Sequence, residues 1–141
     1  MTCESEESDR HAIALKPPLQ AFFNLSPDLL SVRCQDGYFQ QLNEMWTATL
    51  GWTLEELRSH PWSSFVHPDD LAMTDEMDIQ CHFSTGIVEL KHRFRTADGS
   101  YRWLQWRLSP YRDGVSCAIA QDVTASTWQG NEAYRSGVQE A

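Results

Sequence analysis

The spacing of hydrophobic and polar positions changes character twice along this chain. Leu19, Phe22, Phe23 and Leu25 recur as in one short amphipathic helix, which stops at Ser26-Pro27 because the residue before a proline is driven out of the helical region. Residues 29–34 and 38–42 read as two strands, and the Asp36-Gly37 step between them marks a tight hairpin. Asn43 is expected to cap a short helix that turns Trp46 and Leu50 inward, with Gly51 supplying the left-handed exit. Thr53-Leu54-Glu55-Glu56 spells a capping box, so a second short helix runs to about residue 59. After one further turn over 61–66, Pro68 opens the longest helix, with Asp69 and Asp70 placed to cap its positive end. Leu71, Met73, Met77 and Cys81 form its expected inner face, and Gly86 ends the helical region.

From Val88 the period becomes two. Val88, Leu90, His92 and Phe94 alternate with Glu89, Lys91, Arg93 and Arg95, the pattern of a strand with one buried face. Asp98-Gly99 turns the chain into a second strand over 101–108, with Leu104, Trp106 and Leu108 on one side and Tyr101 and Trp103 on the other. A last strand over 115–124 sets Cys117, Ile119 and Val123 against small Ser116, Ala118 and Ala120. The order β-β, short helices, β-β-β predicts an α+β fold, a five-stranded antiparallel sheet with short helices on one face. Residues 1–18, acidic at Glu4, Glu6, Glu7 and Asp9 and closed by Pro17-Pro18, read as a flexible arm. Residues 126–141 carry Trp128, Tyr134 and Val138 as their only large apolar groups, too few for a heptad seam, and read as a tail or linker. The domain is therefore expected over 19–125.

A length of 141 residues fits one core, and 41% hydrophobic residues with six Trp supply it. The net charge of -9, with eleven basic residues spread among carboxylates, argues against a nucleic-acid surface. Cys3, Cys34, Cys81 and Cys117 are far apart, which predicts no disulfide framework and a reducing compartment. No apolar run reaches the roughly 20 residues of a membrane span, and the first residues are acidic where a targeting peptide is basic, so a cytoplasmic location without membrane contact is expected.

One set of motifs carries a family resemblance. Phe22-Phe23-Asn24-Leu25-Ser26-Pro27-Asp28-Leu29, Asp36-Gly37, Asn43, Leu50-Gly51-Trp52-Thr53 with Glu55-Glu56-Leu57, His67-Pro68-Asp69-Asp70, Asp98-Gly99-Ser100-Tyr101-Arg102-Trp103 and Asp122-Val123-Thr124 together resemble PAS domains of bacterial sensor histidine kinases and diguanylate cyclases. The resemblance implies a hollow between sheet and helices that holds a small ligand or cofactor. It also implies signal relay through Asp122 and Thr124 into a following helix, homodimerisation, and a kinase or cyclase effector in two-component signal transduction. The charged, coiled-coil-like run that usually follows this segment is missing here.

On this basis the hollow is expected to be lined by Trp46, Met73, Met77, Phe94, Leu104, Trp106 and Ile119, with Val32, Leu42 and Leu57 beside them. Phe22, Tyr101 and Trp103 are the expected interface. The Asn-Cys-Arg motif of flavin-thiol photosensors is absent, which excludes that adduct, and Cys81 reads as a small core residue. His82 and His92 are the two candidate haem ligands; His82 does not match the expected axial position, and a histidine placed like His92 on the apolar side usually finds a structural hydrogen bond instead, so haem is disfavoured and no cofactor is evident. His67, Asp69 and Asp70 fit a helix start better than a metal site, and no CxxC supports zinc. Without a phosphate loop, a GxSxG elbow, an HExxH helix or kinase and cyclase motifs, the chain itself is expected to sense and not to catalyse. Two alternatives stand beside a ligand sensor: an interaction module whose core is filled by its own bulky side chains, or an excerpt of a sensor histidine kinase.

Overall fold

The computed structural model describes residues 16–127; the rest of the expected arm and tail, 1–15 and 128–141, lies outside the described residues. Helix α1, Pro17–Leu25, begins on the two prolines, because a proline in the first turn gives up an N–H that has no intrahelical partner anyway. Strands β1, Leu29–Cys34, and β2, Phe39–Leu42, form the expected hairpin. Its turn is held by the Tyr38 N–H donating to the Asp36 carboxylate at 3.1 Å, and Gly37 takes a φ of 95° that favours glycine. Helices α2, Met45–Leu50, and α3, Leu54–Arg58, follow, then single 3-10 turns at Trp62–Phe65 and Pro68–Asp70, and the longest helix α4, Leu71–Phe83. Strands β3, Val88–Arg95, β4, Tyr101–Leu108, and β5, Val115–Asp122, complete a five-stranded sheet of order β2-β1-β5-β4-β3. All its pairs are antiparallel.

The core lies between this sheet and α2 to α4. Leu29, Leu104, Trp106, Leu108, Ala118 and Ala120 face Trp46, Leu50, Leu57 and Phe65, all buried. On β5 the buried positions are Ser116, Ala118 and Ala120, and the register sets them opposite Arg33, Ser31 and Leu29 of β1. The middle of the inner face is thus built largely from short side chains. α4 departs from expectation: its buried residues are Thr74 and Cys81, while Leu71, Met73 and Met77 are half-buried at the margin of the core.

Several local devices hold the helices to the sheet. The Thr53–Glu56 capping box forms, with both reciprocal hydrogen bonds at 2.9 and 3.0 Å, and Gly51 leaves α2 in the left-handed region. Asn43 does not cap α2, whose N-cap is Glu44. Its fully buried amide instead accepts from the Leu30 N–H at 3.1 Å and donates to the carbonyls of Phe23 and Asp28 at 2.9 and 3.0 Å. One side chain therefore ties α1, β1 and the approach to α2. Asp70 occupies the N-cap position of α4 but its side chain makes no cap hydrogen bond: it accepts from the main-chain N–H of Arg93 and from its Nε and Nη2, at 2.8, 3.0 and 2.8 Å. The local cap is His67, whose Nδ1 accepts from the Asp69 N–H. Cys34, expected as a free thiol, is disulfide-bonded, whereas Cys81 and Cys117 are free. No helix among the described residues is long and apolar enough to cross a membrane.

Asn43→Ala removes the side-chain partner of one half-buried N–H and two half-buried carbonyls, so urea unfolding should register a loss of about 3 kcal/mol. Thr53→Ala, at an exposed cap, should cost about 1 kcal/mol. Equal losses for the two variants would contradict the clamp assigned to Asn43.

Candidate functional site

The hollow between sheet and helices is occupied by the protein's own rings. Trp46 is completely buried, its Nε1–H donates to the Leu30 carbonyl at 3.0 Å, and its ring meets Phe39, Phe94 and Trp106 at centroid distances of 5.2, 5.6 and 5.7 Å. Phe65 stacks on Phe94 at 5.4 Å and touches Trp52 at 5.2 Å. Such tilted and stacked pairs add to the burial of large apolar surfaces. Of the residues expected to line the hollow, Trp46, Phe94, Leu104 and Trp106 come together there, with Leu42 and Leu57 buried in the same core. Met73 and Met77 reach only its margin. Ile119 and Val32 are corrections: both lie on the outer face of the sheet, Ile119 with 43% of its surface exposed. Side chains alternate between the two faces, and the inward phase goes to Ser116, Ala118 and Ala120 on β5 and to Leu29, Ser31 and Arg33 on β1.

His92 and four polar groups that sequence reasoning passed over, Thr74, Arg33, Asp78 and Tyr111, complete this interior. His92 is buried, with Nε2 2.8 Å from the indole nitrogen of Trp106 and Nδ1 2.8 Å from Thr74 Oγ1. An indole N–H can only donate, so Nε2 is the acceptor and the ring proton sits on Nδ1, donating to Thr74. Burial pushes the imidazole pKa down to about 4, helped by Arg33 and opposed by Asp70. Both ring nitrogens being engaged, His92 presents no lone pair to a haem iron. His82, the other candidate, is exposed and stacks on Tyr111 at 4.3 Å. Arg33 is buried between the rings of Trp62 and Tyr111, its Cζ 5.1 and 5.2 Å from their centroids. It pairs with Asp78 at 3.0 Å, donates to Ser116 at 3.0 Å and approaches the Cys81 sulfur at 3.7 Å. The Tyr111 hydroxyl donates to the same Asp78 oxygen. Burial raises the Cys81 thiol despite the nearby guanidinium, so Cys81 is a neutral packing residue. Arg33 was legible only in its phase, which it shares with Leu29 and Ser31.

At the end of β5 the expected relay residues form a closed junction. One Asp122 oxygen accepts from the N–H and hydroxyl of Thr124 at 3.0 and 2.6 Å, and the other accepts from Arg102 Nε at 2.8 Å. Burial pushes the Asp122 carboxyl up, but the Thr124 and Arg102 hydrogen bonds outweigh it and hold the group below the usual carboxylate range. Thr124 Oγ1 accepts from the Trp103 N–H at 2.9 Å, and the Val123 N–H donates to the Trp103 carbonyl at 2.8 Å. The chain after β5 is thereby stitched to β4, and it reaches the β3 side through Lys91 Nζ and Thr127 Oγ1, 3.4 Å apart.

The outer face of the sheet divides in two. Over β1 and β5 a groove of about 510 Å³ is lined by Phe23, Leu30, Val32, Ile87, Cys117 and Ile119, with Gln41 and Arg107 among its polar neighbours. Beside it α1 buries none of its residues, and Phe22 and Leu25 are 71% and 76% exposed. Over β3 and β4 the surface is cationic and aromatic. The expected interface residues fall on both sides of this divide: Phe22 belongs to α1, Trp103 is flanked by Lys91 and Arg93 at 5.7 and 5.1 Å, and Tyr101 packs on His67 at 4.6 Å.

The fold agrees with known proteins. A family model described as the PAS fold matches residues 40–119, more than half of the chain, and the chain belongs to that family. It is 32% identical over 99 residues to the neuronal PAS domain-containing protein 4A of Danio rerio, an alignment that covers 69% of this chain and 10% of that protein. The chain thus spans about a tenth of the curated relative it matches. Among solved structures, the PAS domain of a Colwellia psychrerythraea protein superposes with a TM-score of 0.69 at 18% identity, covering 77% of this chain and 96% of that one. A domain of a sensory box sensor histidine kinase/response regulator from Geobacter sulfurreducens gives 0.66 at 16% identity, covering 74% and 91%. The N-terminal domain of a diguanylate cyclase with PAS/PAC sensor from Marinobacter aquaeolei gives 0.62 at 18%, covering 71% and 98%. The fold is that of a PAS domain.

The buried neutral histidine sets a pH dependence. His92 titrates near its ordinary value of 6.5 when unfolded but near 4 when folded, so stability is full above pH 6.5 and is lost as pH falls towards 4. Between pH 7.5 and pH 5 this one group should remove about 2 kcal/mol. Urea titrations of the protein and of His92→Gln at both pH values check it: the variant should lose less over the interval, and equal losses would contradict a neutral buried His92.

Proposed function

We propose that this PAS domain signals through protein contacts made on the outside of its sheet, as a paired module, and not by loading a cofactor into its interior. The observation that carries this reading is where apolar surface is used. Inside, Trp46, Trp106, Phe94 and Phe39 occupy one another's surroundings; outside, an apolar groove and an apolar helix stand in the open.

The proposed partner is a second copy of the chain. The ridge of Leu19, Phe22 and Leu25 on α1, at i, i+3 and i+6, and the groove over β1 and β5 belong to one protomer. They supply both halves of a two-fold contact in which each α1 lies in the other's groove. Pairing would clamp β1 and β5, and β5 runs into the Asp122–Thr124–Trp103 junction. A shift in the pairing equilibrium then reaches the segment after Thr127 without any change in the interior. The effector in this reading is a kinase or cyclase domain of the kind named for the Geobacter and Marinobacter structures, which makes the module part of two-component or cyclic-nucleotide signalling.

Light scattering across a concentration series should give a dimer with a Kd in the micromolar range. Phe22→Glu and Ile119→Lys, each at an exposed position, should give monomers with unfolding free energies within about 0.5 kcal/mol of the parent. A native mass spectrum with a visible absorption spectrum should show the bare polypeptide. A parent that stays monomeric at high concentration, or a bound mass with an absorption band, would each sink the reading.

A further inference from the structure

The strand order leaves β2 and β3 as the two edges of the sheet. β2 has four residues, and β3 has eight. At the far end of β3 the edge is covered: the Arg93 N–H donates to Asp70, the Arg93 carbonyl accepts from the His67 N–H at 3.0 Å, and the Arg95 carbonyl accepts from Trp52 Nε1 at 2.8 Å. Main-chain direction alternates along a strand, so the N–H and C=O of Glu89 and Lys91 face the same way as those of Arg93, away from β4. Among the described residues no hydrogen bond engages them.

The charge around this open stretch is unlike the rest of the molecule. Lys91, Arg93, Arg95, Arg102 and Arg107 all stand on β3 and β4, in a chain of net charge -9. Arg93 is matched by Asp70, Arg102 by Asp122, and Arg107 by Glu89 at 3.4 Å. Among the described residues no carboxylate pairs with Lys91 or Arg95. Cations on an edge strand discourage neutral or basic strands from adding to it. For a strand that carries carboxylates the sign of that effect reverses.

We propose that the Glu89–Lys91 edge of β3 takes up an extended acidic segment of a partner protein as a sixth strand, with a carboxylate beside Lys91, which among the described residues has no carboxylate partner. Main-chain hydrogen bonds supply the attachment and Lys91 supplies the selection, the division of labour seen wherever a peptide extends a sheet. This edge adjoins the β1–β5 groove at Ile87 and Arg107, but it uses the main-chain groups of Glu89 and Lys91, which the pairing read from that groove does not.

The probe is a fluorescein-labelled, acetylated peptide of four Glu-Val repeats, titrated into the full chain and followed by fluorescence anisotropy, with amide exchange at Glu89 and Lys91 measured by NMR. Saturable binding is expected, weakened about tenfold on going from low to high salt and about tenfold by Lys91→Glu with thermal unfolding unchanged. Exchange at the Glu89 and Lys91 amides should slow when the peptide is bound, and a peptide methylated on the main-chain nitrogens that face the edge should not bind. Equal affinity of the methylated peptide would reduce the contact to surface charge and overturn the proposal, as would the absence of binding. Amides already protected in the protein alone would overturn it too, by assigning the edge to another segment of the same chain if the protection is independent of concentration, or to a second copy if it rises with concentration.

Discussion

The burial of Trp46 is the constraint to which the rest of the molecule adjusts. An indole that large, anchored by its N–H to the Leu30 carbonyl and ringed by Phe39, Phe94 and Trp106, leaves little depth above the centre of the sheet. The inner face under it therefore carries Ser31, Ala118 and Ala120. With Ser31 of β1 and Ala118 and Ala120 of β5 facing inward, Leu30, Val32 and Ile119 are turned out by alternation. The apolar groove on the far face is thus the reverse side of the same packing decision, and helix α1 beside it extends the apolar surface. An interior built this tightly tolerates little change in volume, which directs attention to contacts on the outside.

Four polar side chains couple the helical layer to the sheet, and each does so at a different place. Asn43 gathers α1 and β1, Arg33 reaches from β1 to Asp78 on α4, Asp70 holds the start of α4 to β3, and His92 joins Thr74 of α4 to Trp106 of β4. Because buried polar groups are costly unless paired, these contacts specify one arrangement of helices over the sheet where apolar packing alone would permit several. They also make α4 rigid with respect to the strands, leaving α1 and the segment after β5 as the elements attached through fewer bonds.

Much of the fold was legible in the sequence because the signals were local. Asp36-Gly37, the capping box at Thr53, Gly51 and the alternation of β3 each depend on neighbours a few residues away, and each appears where the pattern puts it. The lining of the hollow was less legible. β1 and β5 carry apolar residues on both faces, so periodicity gives two equivalent phases and residue size suggests the wrong one for Val32 and Ile119. Thr74 was hidden for a related reason: a polar residue on the buried side of α4 makes sense only once His92, eighteen residues on, is known to lie opposite. Asp70 and Asn43 look like caps in isolation, and only the return of β3 and the approach of α1 give them other partners. The family motifs pointed to the fold but said nothing of which face of its central strands looks inward.

The strand that closes the sheet is also its middle one. β5 lies between β1 and β4, and Leu29 meets Ala120 across more than half the length of the chain. During synthesis the first hairpin emerges long before its neighbour exists, so β1 waits with one side of its ladder open until the last strand has left the ribosome. Sheets whose pairing spans such distances assemble slowly, and their unpaired intermediates are exposed to wrong partners. The cell therefore meets this domain first as two separate halves, and its native form is defined at the moment β5 slides between them.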